Sequence, residues 1–148
     1  MPAGWMQPCQ RDIRWRLAMA GLVMFTGWAW RSGGLPLSRF LYKYGGDAWW
    51  ALLVFVCVGM VFRRRPTAVV AAIAAIVAAG VELLQLYHAP WLDAVRATAL
   101  GRAALGNTFN APDLLAYAAG IALGTAIEAA GPHAAGQASD QGQRIRQP

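Results

Sequence analysis

Glu82 and Gln85 stand three residues apart, a spacing that puts both side chains on one face of a helix. Further on, Asp113, Tyr117, Gly120 and Gly124 follow a single helical stripe at spacings of 4, 3 and 4. Asp47 sits directly before one of the most apolar stretches of the chain, in KYGGDAWW (Lys43–Trp50). Carboxylates beside hydrocarbon are costly and by default mark a functional site. Two chemistries suit this set. One is a polar cavity in which Glu82, Gln85, Asp113, Asp47 and Tyr117 meet a ligand, with Arg39 or Arg96 as anion contacts. The other is general-base catalysis by Glu82 or Asp113. Against an enzyme, there is no nucleophile motif such as GxSxG. His88 is the only histidine outside the C-terminal tail, and Cys9 and Cys57 have neither metal-ligand spacing nor a reason to pair. Neither metal nor cofactor is expected.

Each residue also has a plainer reading. Glu82 is a candidate partner for Arg96. Asp113 falls at the third position of a helix capped by Asn110, as in a capping box, and Asp47 suits the positive end of a helix that Gly45 and Gly46 turn into. Asp93 and Arg96 are placed for a local ion pair, which is worth little if exposed.

The elements that position these groups are four runs without a formal charge: Leu17–Trp30, Ala48–Phe62, Ala68–Val81 and Leu114–Ile127. Each is shorter than the roughly 20 residues of a spanning helix. Their flanks lengthen them: Trp15 and Arg16 extend the first, the third continues to about Tyr87, and the fourth runs from Pro112 to Ala130. The runs are apolar all round rather than along one stripe, which excludes a soluble surface helix. Composition agrees. The 148 residues are 57% hydrophobic and 14% charged, against about 25% charged in soluble domains, and mean hydropathy is +0.37. A net charge of +6 without any nucleic-acid motif points to membrane topology rather than to nucleic acid. The first run ends in WAWRSGG, whose bulky tryptophans argue against a cleaved signal peptide.

The expectation is an all-α membrane protein, a bundle of four transmembrane helices over residues 14–130, between a polar arm (1–13) and a tail (131–148) whose composition predicts disorder. Arg11, Arg14, Arg16, Arg63, Arg64, Arg65, Arg144 and Arg146 fall on one side of such a bundle, and only Arg31, Arg39, Lys43, Arg96 and Arg102 on the other. The positive-inside rule therefore places both termini in the cytoplasm. Glu82 lies 16 residues beyond Pro66, about 24 Å along a helix, near the outer boundary and level with Asp47 and Asp113. Gly120 and Gly124 form GxxxG, which lets another helix approach closely; the Ala-rich third helix is the expected partner.

GLPLSR (Gly34–Arg39), KYGGDAWWA (Lys43–Ala51), ELLQLYHAPWLDAVR (Glu82–Arg96) and LGNTFNAPDLLAYAAG (Leu105–Gly120) together resemble the small bacterial membrane family called domain of unknown function 2809. That family is similar in turn to the VanZ-like proteins, with a Glu-x-x-Gln on one helix and Asp, Asn, Gly and Gly on a later one. Glu82, Gln85, Asp113, Gly120 and Gly124 match this pattern, and Tyr117 stands where it has Asn. The resemblance implies a multi-pass protein of the bacterial cytoplasmic membrane, associated with the cell envelope, and supplies no reaction. Three functions follow: a binder of an envelope amphiphile, lipid-linked or glycopeptide-like, in an outward-facing cavity; a structural subunit or homo-oligomer joined through GxxxG; and a carboxylate-dependent membrane enzyme. Membrane lipid is a partner in all three.

Overall fold

The computed structural model describes residues 13–34, 36–106 and 108–130. The polar arm before Ile13 and the tail beyond Ala130 lie outside these residues, as does Cys9. Among the described residues there are six α-helices, one π-helical turn and no strand. Helix α1 is Ile13–Arg31; the π-helical turn Leu41–Gly45 runs straight into α2, Gly46–Val61; α3 is Thr67–Leu84; α4 is Pro90–Ala97; α5 is Ala99–Leu105; and α6 is Asp113–Ala130. The four uncharged runs coincide with α1, α2, α3 and α6.

Three of these helices are long and apolar enough to cross a membrane: Leu41–Val61, Thr67–Leu84 and Asp113–Ala130, of 21, 18 and 18 residues. Helix α1 has 19 residues, but Arg14, Arg16 and Arg31 near its ends make it less apolar. The outward faces carry large apolar side chains, among them Phe25, Ile76, Leu115 and Leu123, while Arg16, Glu82, Arg96 and Asp113 are buried. This inverts the usual soluble pattern, and it suits a molecule surrounded by lipid.

Named contacts fix the direction of each helix. Arg31, at the end of α1, bonds Asp47 near the start of α2, while Arg16, at the start of α1, donates to the Val56 carbonyl at 3.4 Å near the other end of α2. Tyr117, early in α6, reaches Glu82, late in α3. Gly120 faces Ala48 and Ala51, and Gly124 faces Phe55, so α6 runs parallel to α2. The four long helices thus go up, down, up, down. Arg31, Asp47, Glu82 and Asp113 gather at one end, as their sequence positions predict. Arg16 and Glu128 form an ion pair of 2.8 Å at the other end, both mostly buried, where Gly59 leaves the room that Arg16 occupies.

Helix α2 is the hub, packed against α1, α3 and α6. Ala51, Phe55 and Val56 of α2 meet Val70, Ala74 and Ala78 of α3 and Tyr117 and Ile121 of α6 in the core. Small residues every fourth position on α3 let it approach closely.

Two packing expectations are corrected here. The seam of Gly120 and Gly124 lies against α2, not the Ala-rich α3: a Cβ on Gly120 would run into the Ala48 carbonyl, and one on Gly124 into the Phe55 ring. Gly120 lets α6 come against the backbone of α2 and Gly124 makes room for Phe55, whereas α3 brings its own small residues. Gly45 and Gly46 likewise make no turn. Both are helical, at φ −63 and −60, and their missing side chains admit the Trp30 ring and the Arg31 guanidinium. Asp47 therefore lies inside a continuous helix from Leu41 and is held by Arg31 rather than by a helix terminus.

Replacing Gly120 by Ala is expected to force α2 and α6 apart, at a cost of about 1–3 kcal/mol. Gly80→Ala, inside α3 with nothing within 4 Å of its Cβ, should instead hold or raise stability, by up to about 1 kcal/mol. Thermal unfolding of the two detergent-solubilised variants checks the contrast.

Candidate functional site

The site begins at the C-terminus of α3, where the last carbonyls of a helix lack internal partners. Arg96 of α4 folds back onto them, donating to the Leu84 carbonyl at 2.7 Å and the Tyr87 carbonyl at 3.0 Å. It also meets Asp93 at 3.2 Å, the local pair its spacing predicts, and His88 Nδ1 lies 3.3 Å from the same Asp93 oxygen. Arg96 is thus a helix cap and does not pair with Glu82.

Glu82 has no exposed surface. Its Oε1 accepts the Asn110 backbone N–H at 2.5 Å, and its Oε2 accepts the Tyr117 hydroxyl at 2.9 Å. One carboxylate therefore ties the end of α3 both to the loop entering α6 and to the second turn of α6. This alters the expected capping box. The Asn110 N–H that would go to Asp113 goes to Glu82 instead, and Asp113 takes the Asn110 side-chain amide and Lys43 Nζ, the latter at 2.8 Å. Asp113 remains in the first turn of α6, where the helix dipole favours a carboxylate.

Gln85 follows one turn after Glu82 and donates Nε2 to the Leu105 carbonyl at 2.9 Å, which fastens α5 to α3. Its Oε1 is buried without a hydrogen-bond partner. Helix α5 is set by Thr98, whose hydroxyl accepts the Gly101 N–H at 3.0 Å, and ends at Gly106 with φ +64, a conformation glycine adopts without strain.

Between α1 on one side and α5 with the end of α3 on the other is a cleft of about 430 Å³, floored by α2 and the start of α6. Val23, Met24, Trp28, Leu53 and Val81 give it apolar walls; Arg31, Asp47, Gln85, Arg102, Asp113 and Tyr117 are its polar groups. The Arg31–Asp47 pair is 3.0 Å long, and the Trp50 ring lies 5.2 Å from that of Tyr117.

Of the residues singled out by sequence, Asp47, Gln85, Asp113 and Tyr117 line this cleft. Glu82 lies behind Tyr117 and does not line it, Arg96 is behind it at the end of α3, and exposed Arg39 lies apart from it. Gly120 and Gly124 serve the seam with α2. Arg31 and Arg102 were missed as cleft residues, and so was Lys43 as the partner of Asp113. Antiparallel pairing of the first two runs was a signal for Arg31, since it brings that residue level with Asp47. Nothing in the sequence marked Arg102, which sits on a helix too short and mixed to stand out.

The model of the family described as "Protein of unknown function (DUF2809)" matches residues 37–121, more than half of the chain. The chain belongs to that family. The matched stretch holds Lys43, Asp47, Glu82, Gln85, Arg102 and Asp113 and leaves out α1, so the family region supplies every wall of the cleft but one. No solved structure matches the chain.

Removing the Tyr117 hydroxyl in Tyr117→Phe is expected to cost about 1–2 kcal/mol of stability. Glu82→Ala, which orphans two donors, should cost more, about 2–4 kcal/mol. The double variant should fall short of the sum, as unfolding in a double-mutant cycle measures.

Proposed function

We propose that the chain is a four-span protein of the bacterial cytoplasmic membrane, both termini cytoplasmic, whose cleft opens outward and binds an envelope amphiphile. The observation that carries this reading is the make-up of the cleft: apolar walls of α1, α2 and α3 lead to a polar end where both signs of charge are fixed. An acyl or prenyl chain suits the walls and a polar headgroup suits the end, and a volume of about 430 Å³ lies within the usual range of small-ligand sites. A fourth span is supported by α1 reaching from the Asp47 level to the Glu128 level, the full length of α2 and α6. An envelope molecule, lipid-linked or glycopeptide-like, is the ligand that the resemblance of Glu82, Gln85, Asp113, Gly120 and Gly124 to the VanZ-like pattern implies.

The other readings find less support. Both oxygens of Glu82 are occupied and shielded from the cleft, which speaks against it as a general base. The GxxxG seam is used within the chain, which weakens a subunit role built on it.

Reporter fusions at the two termini should both signal from the cytoplasm; opposite sides would remove α1 as a span. Filling the cleft with Ala104→Trp, at an exposed position on its α5 wall, should abolish co-purified amphiphile in native mass spectra while leaving helicity and the unfolding temperature intact. The same bound species in wild type and variant would sink the binding reading.

A further inference from the structure

The polar end of the cleft is specific enough to name a headgroup. Arg31 and Arg102 line it, and so do Asp47 and Asp113, two cations against two anions, with Lys43 beside it on Asp113. A ligand of strong single charge upsets that balance, whereas one carrying both signs preserves it. Arg31 and Lys43 are only half buried while Asp47 and Asp113 are mostly enclosed. A cation from the cleft can therefore join the carboxylates as a phosphate draws over the guanidinium groups of Arg31, which lies on Asp47, and of exposed Arg102, which donates to the Ala97 carbonyl, from opposite walls.

Gln85 sharpens the choice. It is 6% exposed, lines the cleft, and leaves Oε1 without a donor. Its amide cannot be turned round to remedy this, because Nε2 is committed to the Leu105 carbonyl. A buried acceptor without a donor is costly, and what relieves it is an N–H or O–H. A quaternary ammonium has none; a primary ammonium has three.

We infer that the cleft selects amphiphiles whose headgroup joins a primary ammonium to a phosphate, over quaternary-ammonium and purely anionic headgroups. This rests on the amphiphile reading above. The ammonium meets Asp47, Asp113 and Gln85 Oε1, the phosphate meets Arg31 and Arg102, and the chains lie along Met24, Trp28 and Leu53.

The test is native mass spectrometry of the full chain in detergent with equimolar phosphatidylethanolamine, phosphatidylcholine and phosphatidylglycerol of identical acyl chains. One added charge-assisted hydrogen bond corresponds to about tenfold in affinity, so about tenfold more phosphatidylethanolamine than either competitor is expected on the wild type. Asp47→Asn should bring both preferences to within about twofold, and Gln85→Met the preference over phosphatidylcholine, with circular dichroism and unfolding temperature showing both still folded. Water-soluble O-phosphoethanolamine should not displace the lipid. Equal retention of the three lipids, or an undiminished preference in both folded variants, overturns the headgroup inference and leaves amphiphile binding standing. Displacement by O-phosphoethanolamine at concentrations equal to the lipid's overturns the amphiphile itself.

Discussion

Everything at the polar end depends on one buried carboxylate. Glu82 is wholly enclosed at the edge of an apolar bundle, and an ion there is tolerable only when its lone pairs are satisfied. The chain satisfies them with a backbone N–H and a phenol, both from across the bundle. Those two bonds fix where the loop enters α6 and how Tyr117 is aimed. With Asn110 held, its side chain turns to Asp113, and Asp113 faces Lys43. The placement of Asp113 in the cleft is therefore inherited from Glu82, which never touches the cleft.

The same end shows how a lipid-facing protein arranges its charges. Arg31–Asp47 and Lys43–Asp113 each put a half-exposed cation against a more enclosed carboxylate, so the long basic side chains reach outward while the acids stay within the bundle. At the opposite end Arg16 and Glu128 are both enclosed and hold α1 to α6. One end is sealed and the other carries the opening.

The sequence was most legible where physics is local. Four uncharged runs gave four long helices, and counting from Pro66 put Glu82 level with Asp47 and Asp113, where the structure finds it. The short helices α4 and α5 were read as a link, because WLDAVRATALGR mixes apolar and charged residues over too few turns to show a period. Partner choice was illegible for a different reason. Gly45, Gly46 and Gly120 read as a turn and a seam, but what a missing Cβ admits is decided by another segment: Trp30, Arg31 and the Ala48 carbonyl. Arg96 was close to Glu82 in sequence and opposite in charge, yet the carbonyls of Leu84 and Tyr87, at and just beyond the end of α3, held it. The groups left out of the sequence reading of the site, Arg31 and Arg102, belong to walls that only the assembled bundle brings face to face.

The parallel pairing of α2 with α6 has a consequence for the order of assembly. A chain emerging from the ribosome presents Ala48, Ala51 and Phe55 long before Gly120 and Gly124 exist, and three helices intervene between the two halves of that seam. Until α6 arrives, α2 has α1 and α3 for neighbours and lipid along its third side, and Glu82 has neither of its donors. The glycine seam thus cannot form before α6 is made, and until then Glu82 lacks both of the donors it has in the folded protein.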